Sequence, residues 1–183
     1  MKHMETAQRF ARYSIISGFC ESEGGCKMNR DEYFMKEAIR LSIEAVRHGN
    51  EPFGSVLVKD DKIVCTNENQ IFSLSDPTWH GETGLIRKFC HENGIMDLSA
   101  YTLYTSCEPC FMCSGAMVWA RLGTLVYAAS NIELEQILGS QGSDCSRIVF
   151  MHSGHQPVVR SGVLREESLE VLRSYFGKKN DSE

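Results

Sequence analysis

The sequence predicts an α/β protein: a three-layer α/β/α sandwich with a central mixed sheet and helices on both faces. Three observations point there. Helical periodicities alternate along the chain with short runs rich in β-branched and aromatic residues. One pair of those runs is joined by a charged turn, which predicts an antiparallel return. The 183 residues contain no internal repeat and no linker, so they suit a single core.

Residues 1–27 stand apart. They hold Gly24-Gly25, scattered charges and one apolar patch, Tyr13-Ser14-Ile15-Ile16. A poorly ordered extension, or a translated leader with no role in the fold, is expected there. Glu5, Glu21 and Glu23 argue against a targeting peptide. The folded domain is expected over residues 28–177, with a frayed polar tail over 178–183.

Asp31 to Arg47 reads as the first helix. Phe34, Ala38, Leu41, Ala45 and Val46 share helical spacing, with Asn29 or Asp31 as cap and Gly49 as stop. Glu51-Pro52-Phe53-Gly54 delivers the chain into a strand over 55–58. Lys59-Asp60-Asp61-Lys62 turns it into a return strand over 63–65, and Asn67-Glu68-Asn69 leaves the sheet. A second helix runs from His80 to Glu92 and is stopped by Asn93-Gly94. A strand over 101–105 enters a cysteine loop. Pro109 suits the first turn of a third helix, expected to reach Arg121. Strands over 125–128 and 147–150 follow, separated by a helical or loop segment at 133–138 and the Gly/Ser-rich 139–143. Residues 158–164 read as a turn or short strand, and 166–176 as the last helix, with Leu169, Leu172 and Phe176 on one side.

Composition narrows the function. A hydrophobic share of 42% and a charged share of 23% are those of a soluble globular protein. The net charge of -5 argues against a large nucleic-acid surface, which needs clustered Lys and Arg. No apolar run is as long as a membrane span, and no secretory segment is evident. The eight cysteines form no disulfide framework. Cys107, Cys110 and Cys113 read as metal-binding in a reducing cytosol, so a cytoplasmic location is expected. Cys20, Cys26, Cys65, Cys90 and Cys145 read as small core or surface thiols.

The chemistry concentrates between Asp76 and Arg121. His80-Gly81-Glu82 offers an imidazole with a carboxylate two residues on, and Pro109-Cys110-Phe111-Met112-Cys113 offers two thiols three residues apart. At a helix start those thiols share a face and favour the thiolate. Three such ligands with a fourth position open suit a catalytic zinc, not a structural one. Glu82 is placed to carry protons. Cys107 competes as a ligand, but Pro109 sets it off the helix and a fourth protein ligand would close the site. It reads as a loop residue lining the pocket. Glu108 reads as either a solvated charge or a loop-fixing group, the second being preferred. Asn69 offers a base edge both a donor and an acceptor.

These motifs resemble the cytidine-deaminase-like superfamily over residues of about 30–130; H-x-E with P-C-x-x-C is the signature of its zinc deaminases. Pro52-Phe53-Gly54, Asp76-Pro77-Thr78 and Leu103 to Cys110, with Trp119-Ala120-Arg121, look like bacterial guanine deaminases. His80-Gly81-Glu82, with Gly where most of the superfamily has Ala, looks like fungal-type cytosine deaminases, as does the C-terminal stretch. The acidic pair usual in guanine deaminases is absent, the region reading Gly142-Ser143-Asp144-Cys145.

The resemblance implies a five-stranded sheet and one zinc per subunit held by His80, Cys110 and Cys113. It implies that Glu82 is the proton shuttle, that Asn69 binds the base and that Phe53 is an apolar wall. It also implies a homodimer or higher assembly through helices near the zinc. Trp79 departs from the family, where a small residue precedes the His, and is expected to narrow the pocket or pack under it. Trp79, Cys107 and Trp119 are candidate substrate contacts. The expected reaction is zinc-dependent hydrolytic deamination of a free nucleobase of cytosine, isocytosine or guanine type, releasing ammonia. A tRNA adenosine deaminase shares nearly all these motifs, though the acidic pI, about 5.7, counts against it. A zinc-binding interaction module is the non-catalytic alternative, and it has no use for Glu82.

Overall fold

The computed structural model describes residues 29–177. The extension expected over 1–27 and the tail over 178–183 lie outside the described residues. The described chain orders as α1 (Arg30–Arg47), β1 (Gly54–Lys59), β2 (Lys62–Glu68), α2 (Gly81–Asn93), β3 (Thr102–Cys107), α3 (Phe111–Trp119), β4 (Thr124–Ala129), α4 (Asn131–Ile137), α5 (Cys145–Met151), β5 (Val158–Ser161) and α6 (Arg165–Phe176). The sheet is mixed and five-stranded, in the order β2-β1-β3-β4-β5. β1 runs antiparallel to both β2 and β3, while β3, β4 and β5 are mutually parallel neighbours. No helix among the described residues is long and apolar enough to cross a membrane.

Strand alternation sorts the core into two layers. Val56, Val58, Tyr104, Val126 and Ala128 face α1 and α6. Leu57, Leu103 and Leu125 face α2, α3 and α5, packing on Leu85, Phe89, Met117 and Phe150. Each fully buried leucine is worth ~2 kcal/mol relative to exposure. α1 begins with a capping box: the Asn29 side chain accepts from the Asp31 N–H and the Glu32 carboxylate accepts from the Asn29 N–H, both at 3.2 Å. Asp31 also ties three elements together. It takes two bonds from Arg160 on β5, at 2.7 and 2.9 Å, and one from the Tyr104 hydroxyl at 2.7 Å.

The sandwich agrees with the sequence; two elements do not. The run at 147–150, expected as a strand, is inside helix α5, and the fifth strand is Val158–Ser161. Four apolar residues do not distinguish strand from buried helix. Here the helix wins because Phe150 buries against the α2/α3 layer while Ile148 stays exposed. The third helix starts after Pro109, not on it. Cys110 is its N-cap, and Ala120 closes it before Arg121, which is left-handed.

Candidate active site

Two helix starts converge just past the C-terminal end of β3, the middle strand. His80 is the N-cap of α2 and Cys110 the N-cap of α3, both with extended backbone and neither capping its own helix through its side chain. The side chains are therefore available to each other. Cys110 Sγ lies 3.7 Å from His80 Nδ1. Cys113 stands at the third helical position, which faces the N-cap side chain. The ligand atoms of His80, Cys110 and Cys113 all lie within 4.8 Å of one another. A tetrahedral zinc with bonds of ~2.0–2.3 Å needs ligand atoms about 3.5–3.8 Å apart. The donor set fits with little movement.

Electrostatics agree with cation binding. A hydrogen bond from the Cys113 thiol, aided by His80 and opposed by burial, brings Cys110 down to about 4. Donating that bond, and being buried, raises Cys113 well above an ordinary thiol. The pair thus shares one proton, which a cation would replace. The hydrogen bond to Cys110 raises His80 against the opposing effect of burial. The Thr83 hydroxyl sits 3.1 Å from Cys113 Sγ.

Glu82, at the second position of α2, is 5% exposed and points inward. Burial lifts its carboxyl above the usual range and the Cys110 charge adds to this; its own N–H, His80 and Thr105 oppose. A carboxylate raised by burial beside a cation site is suited to taking and returning protons. The Thr105 hydroxyl donates to its Oε1 at 3.0 Å.

Among the predicted substrate contacts, Asn69 is fully buried. Its N–H donates to the Phe53 carbonyl, its Oδ1 accepts from the Ile71 N–H, and its Nδ2 has no partner among the described residues. A buried amide donor left so is costly unless something arrives to accept from it. Phe53 is half-buried, its ring 6.2 Å from that of Phe176 at the end of α6.

Of the other three, Cys107 departs from its expected place. Cys107 is no loop residue. It ends β3, pairs with Ala129 and packs with Leu169, Leu172 and Phe176. Burial raises its thiol far above the usual range, as befits a core group. Trp79 packs on α2, its indole Nε1 buried without a partner among the described residues. A Cβ at Gly84 would lie 2.9 Å from its Nε1, and the Arg87 guanidinium stands 5.3 Å from its ring centre. Gly84 thus makes the space that the indole fills. Trp119 is 89% exposed, at the far end of α3 from Cys110, and the fold does not bring it to the site.

Glu108 is the loop-fixing group expected. Its Oε2 accepts from the Asn131 N–H at 3.0 Å, and its Oε1 from the Ser146 N–H at 3.1 Å and hydroxyl at 2.7 Å. Sequence reasoning passed over Thr83, Thr105 and Ser55, and also Asn67, whose Nδ2 donates to the Gly81 carbonyl at 3.0 Å. The available signal was a hydroxyl at a core-facing strand position, Ser55 in β1 and Thr105 in β3.

A three-layer sandwich holding one imidazole, two thiols and a buried carboxylate at a sheet end defines a zinc-dependent hydrolytic deaminase. The chain belongs to the cytidine and deoxycytidylate deaminase zinc-binding region family, which matches residues 28–129. It is similar to a guanine deaminase of Bacillus subtilis, 45% identical over 103 residues that span 56% of this chain and 66% of that protein. It is also similar to a tRNA-specific adenosine deaminase of the same organism, 34% identical over 149 residues, 81% of this chain and 90% of that one. A solved structure from work on A-to-I editing by tRNA:A34 deaminases superposes with a TM-score of 0.66 at 32% identity, covering 76% of this chain and 98% of that one.

Proposed function

We propose that this deaminase acts on a free nucleobase or close analogue of the cytosine, isocytosine or guanine type. The observation that carries this reading is the state of its arginines. Among the described residues, Arg30, Arg40, Arg47, Arg121, Arg147, Arg160, Arg165 and Arg173 are each ion-paired to a carboxylate, and Arg87 lies over Trp79. A tRNA arm is held by cations free to meet phosphates, and among the described residues those left are lysines, such as Lys36, Lys62 and Lys88. A tRNA adenosine deaminase is the second reading. It is favoured by the 90% of the tRNA-specific relative that the chain spans, against 66% of the guanine deaminase.

His80, Cys110 and Cys113 would hold the zinc. When bound, zinc lets a water ionise near neutral pH and polarises the reacting centre. The protein's own groups do the rest. Asn69 donates from Nδ2 to an acceptor on the ring, and Phe53 supplies an apolar wall that keeps water off it. Glu82 takes the proton released as water adds to the amidine carbon. It passes that proton to the ring nitrogen, then takes the proton of the added hydroxyl and delivers it to the departing amine. Ammonia leaves and a carbonyl remains.

The assembly proposed is a homodimer through the outer faces of α3 and α5. Phe111, Met112, Trp119, Ile148 and Met151 leave an apolar surface exposed there. The reduced thiols at the site fit a cytoplasmic location. The deciding experiment is an ammonia-release panel of cytosine, isocytosine, guanine, adenine, their nucleosides and a tRNA anticodon stem-loop. Release from a free base is expected; turnover of the stem-loop alone would replace this reading with the second.

A further inference from the structure

Behind Glu82 lies a short line of buried hydroxyls. Ser55 and Thr105 are directly opposed in the antiparallel β1/β3 ladder, and both are fully buried. The Ser55 hydroxyl donates to Thr105 Oγ at 3.2 Å, and the Thr105 hydroxyl donates to Glu82 Oε1 at 3.0 Å. A hydroxyl has one proton. With Ser55 donating to Thr105, the single Thr105 proton is committed to Glu82. On the α2 side of these strands the two hydroxyls stand beside Leu57 and Leu103, polar groups continuing an apolar row.

The start of α2 is shaped to the same line. A Cβ at Gly81 would stand 3.1 Å from Ser55 Oγ, closer than an ordinary contact, so glycine between His80 and Glu82 leaves the serine hydroxyl its place. That ties an unusual residue of the His80-Gly81-Glu82 motif to a hydroxyl on β1.

We propose that Thr105, backed by Ser55, is a positioning residue for Glu82, fixing the carboxyl plane and holding Oε1 as an acceptor throughout the reaction. The inference rests on the reading of Glu82 as the proton carrier. With Oε1 engaged, each travelling proton binds at Oε2: the adding water loses one to Oε2, which passes it to the ring nitrogen, and the added hydroxyl then loses its own to Oε2, which passes it to the amine as the carbonyl forms. Thr105 exchanges no proton. Its contribution is to remove rotation about the last bond of Glu82, so that one oxygen meets water, ring nitrogen and amine in turn. A strand hydroxyl does this better than a loop group, because the β1/β3 ladder fixes its position.

The test uses the zinc-loaded full-length protein and each free base that releases ammonia in the panel above. Thr105→Val is expected to lower kcat by about tenfold, the scale of one hydrogen bond to a charged group, with KM within about twofold and zinc content unchanged. Thr105→Ser is expected to recover most of that loss, and Ser55→Ala to fall between. A second readout needs no turnover. The infrared carboxylate band of Glu82, isolated as the difference from Glu82→Gln, is expected to shift in Thr105→Val and to stay in place in Thr105→Ser. Wild-type kcat with an unmoved band in Thr105→Val overturns the inference, as does activity lost only in step with zinc. Full activity in Glu82→Gln overturns the proton-carrier reading itself, and separates that failure from an idle Thr105.

Discussion

Replacing Glu108 by Gln is expected to loosen the starts of two helices at once. The carboxylate takes the first N–H of α4, from Asn131, on one oxygen, and the N–H and hydroxyl of Ser146 in α5 on the other. Glutamine keeps one oxygen and brings an NH2 group where the second was. If its oxygen faces Ser146, the buried Asn131 N–H meets another donor. If it faces Asn131, the Ser146 N–H does; the Ser146 hydroxyl can turn and accept, but its backbone cannot. One charge-assisted bond worth ~1.5–3 kcal/mol is lost in either pose, and the stranded donor adds to the cost. A total of about 3 kcal/mol follows, roughly 6–12 °C in Tm for a chain of this size. Urea and thermal unfolding at one fixed, saturating zinc concentration measure it, because zinc bound only to the native state stabilises by mass action. Ser146→Ala alone is expected to cost about 1 kcal/mol, and the double variant less than the sum of the two. A Glu108→Gln protein within about 0.5 kcal/mol of wild type would refute this account of Glu108.

Cys110→Ala is expected to abolish stoichiometric zinc, read by elemental analysis after dialysis, and to lower stability; full zinc occupancy would require a different ligand set. Asp31 stays below the usual carboxylate value because the hydrogen bonds from Arg160 and Tyr104 outweigh its burial. Its stabilisation is therefore complete above the unfolded-state value of about 4 and is lost as pH falls through the lower folded value. Asp31→Asn is expected to cost about 1 kcal/mol at pH 7, the clasp being partly solvent-screened, and the gap from wild type in urea unfolding is expected to narrow on acidification below about pH 4. Trp119→Asp is expected to shift sedimentation towards the monomer without loss of zinc; an unchanged oligomer would place the interface elsewhere.

The site was legible in the sequence because metal and proton chemistry use few residue types at fixed spacings. An N-cap and the third position after it necessarily face each other, so Cys110 and Cys113 converge whatever the rest of the chain does. His80 and Glu82 lie at the start of the neighbouring helix by the same local logic. Glu108 was legible too, as an acid in a tight loop. The run at 147–150 was not, because four apolar residues bury equally well in either conformation. What decided it was the packing of Phe150 and the presence of Val158–Ser161 as the parallel partner of β4.

Substrate contacts were harder, since nearness in sequence to a ligand does not set direction. Trp79 adjoins His80 yet turns onto Gly84 and Arg87, because a helix entry sends successive side chains to different sides. Cys107 is three residues from Cys110 yet faces Leu169 and Phe176, since it still belongs to the pleat of β3. The sequence alone determined the candidate ligand set, the carboxylate beside it and the alternation of helices and strands, all consequences of local spacing. Only the tertiary structure decided which oxygen of Glu82 Thr105 holds and which apolar faces remain outside. Those depend on how strands fifty residues apart align, a register set by the packing of the whole sheet and not by any one segment.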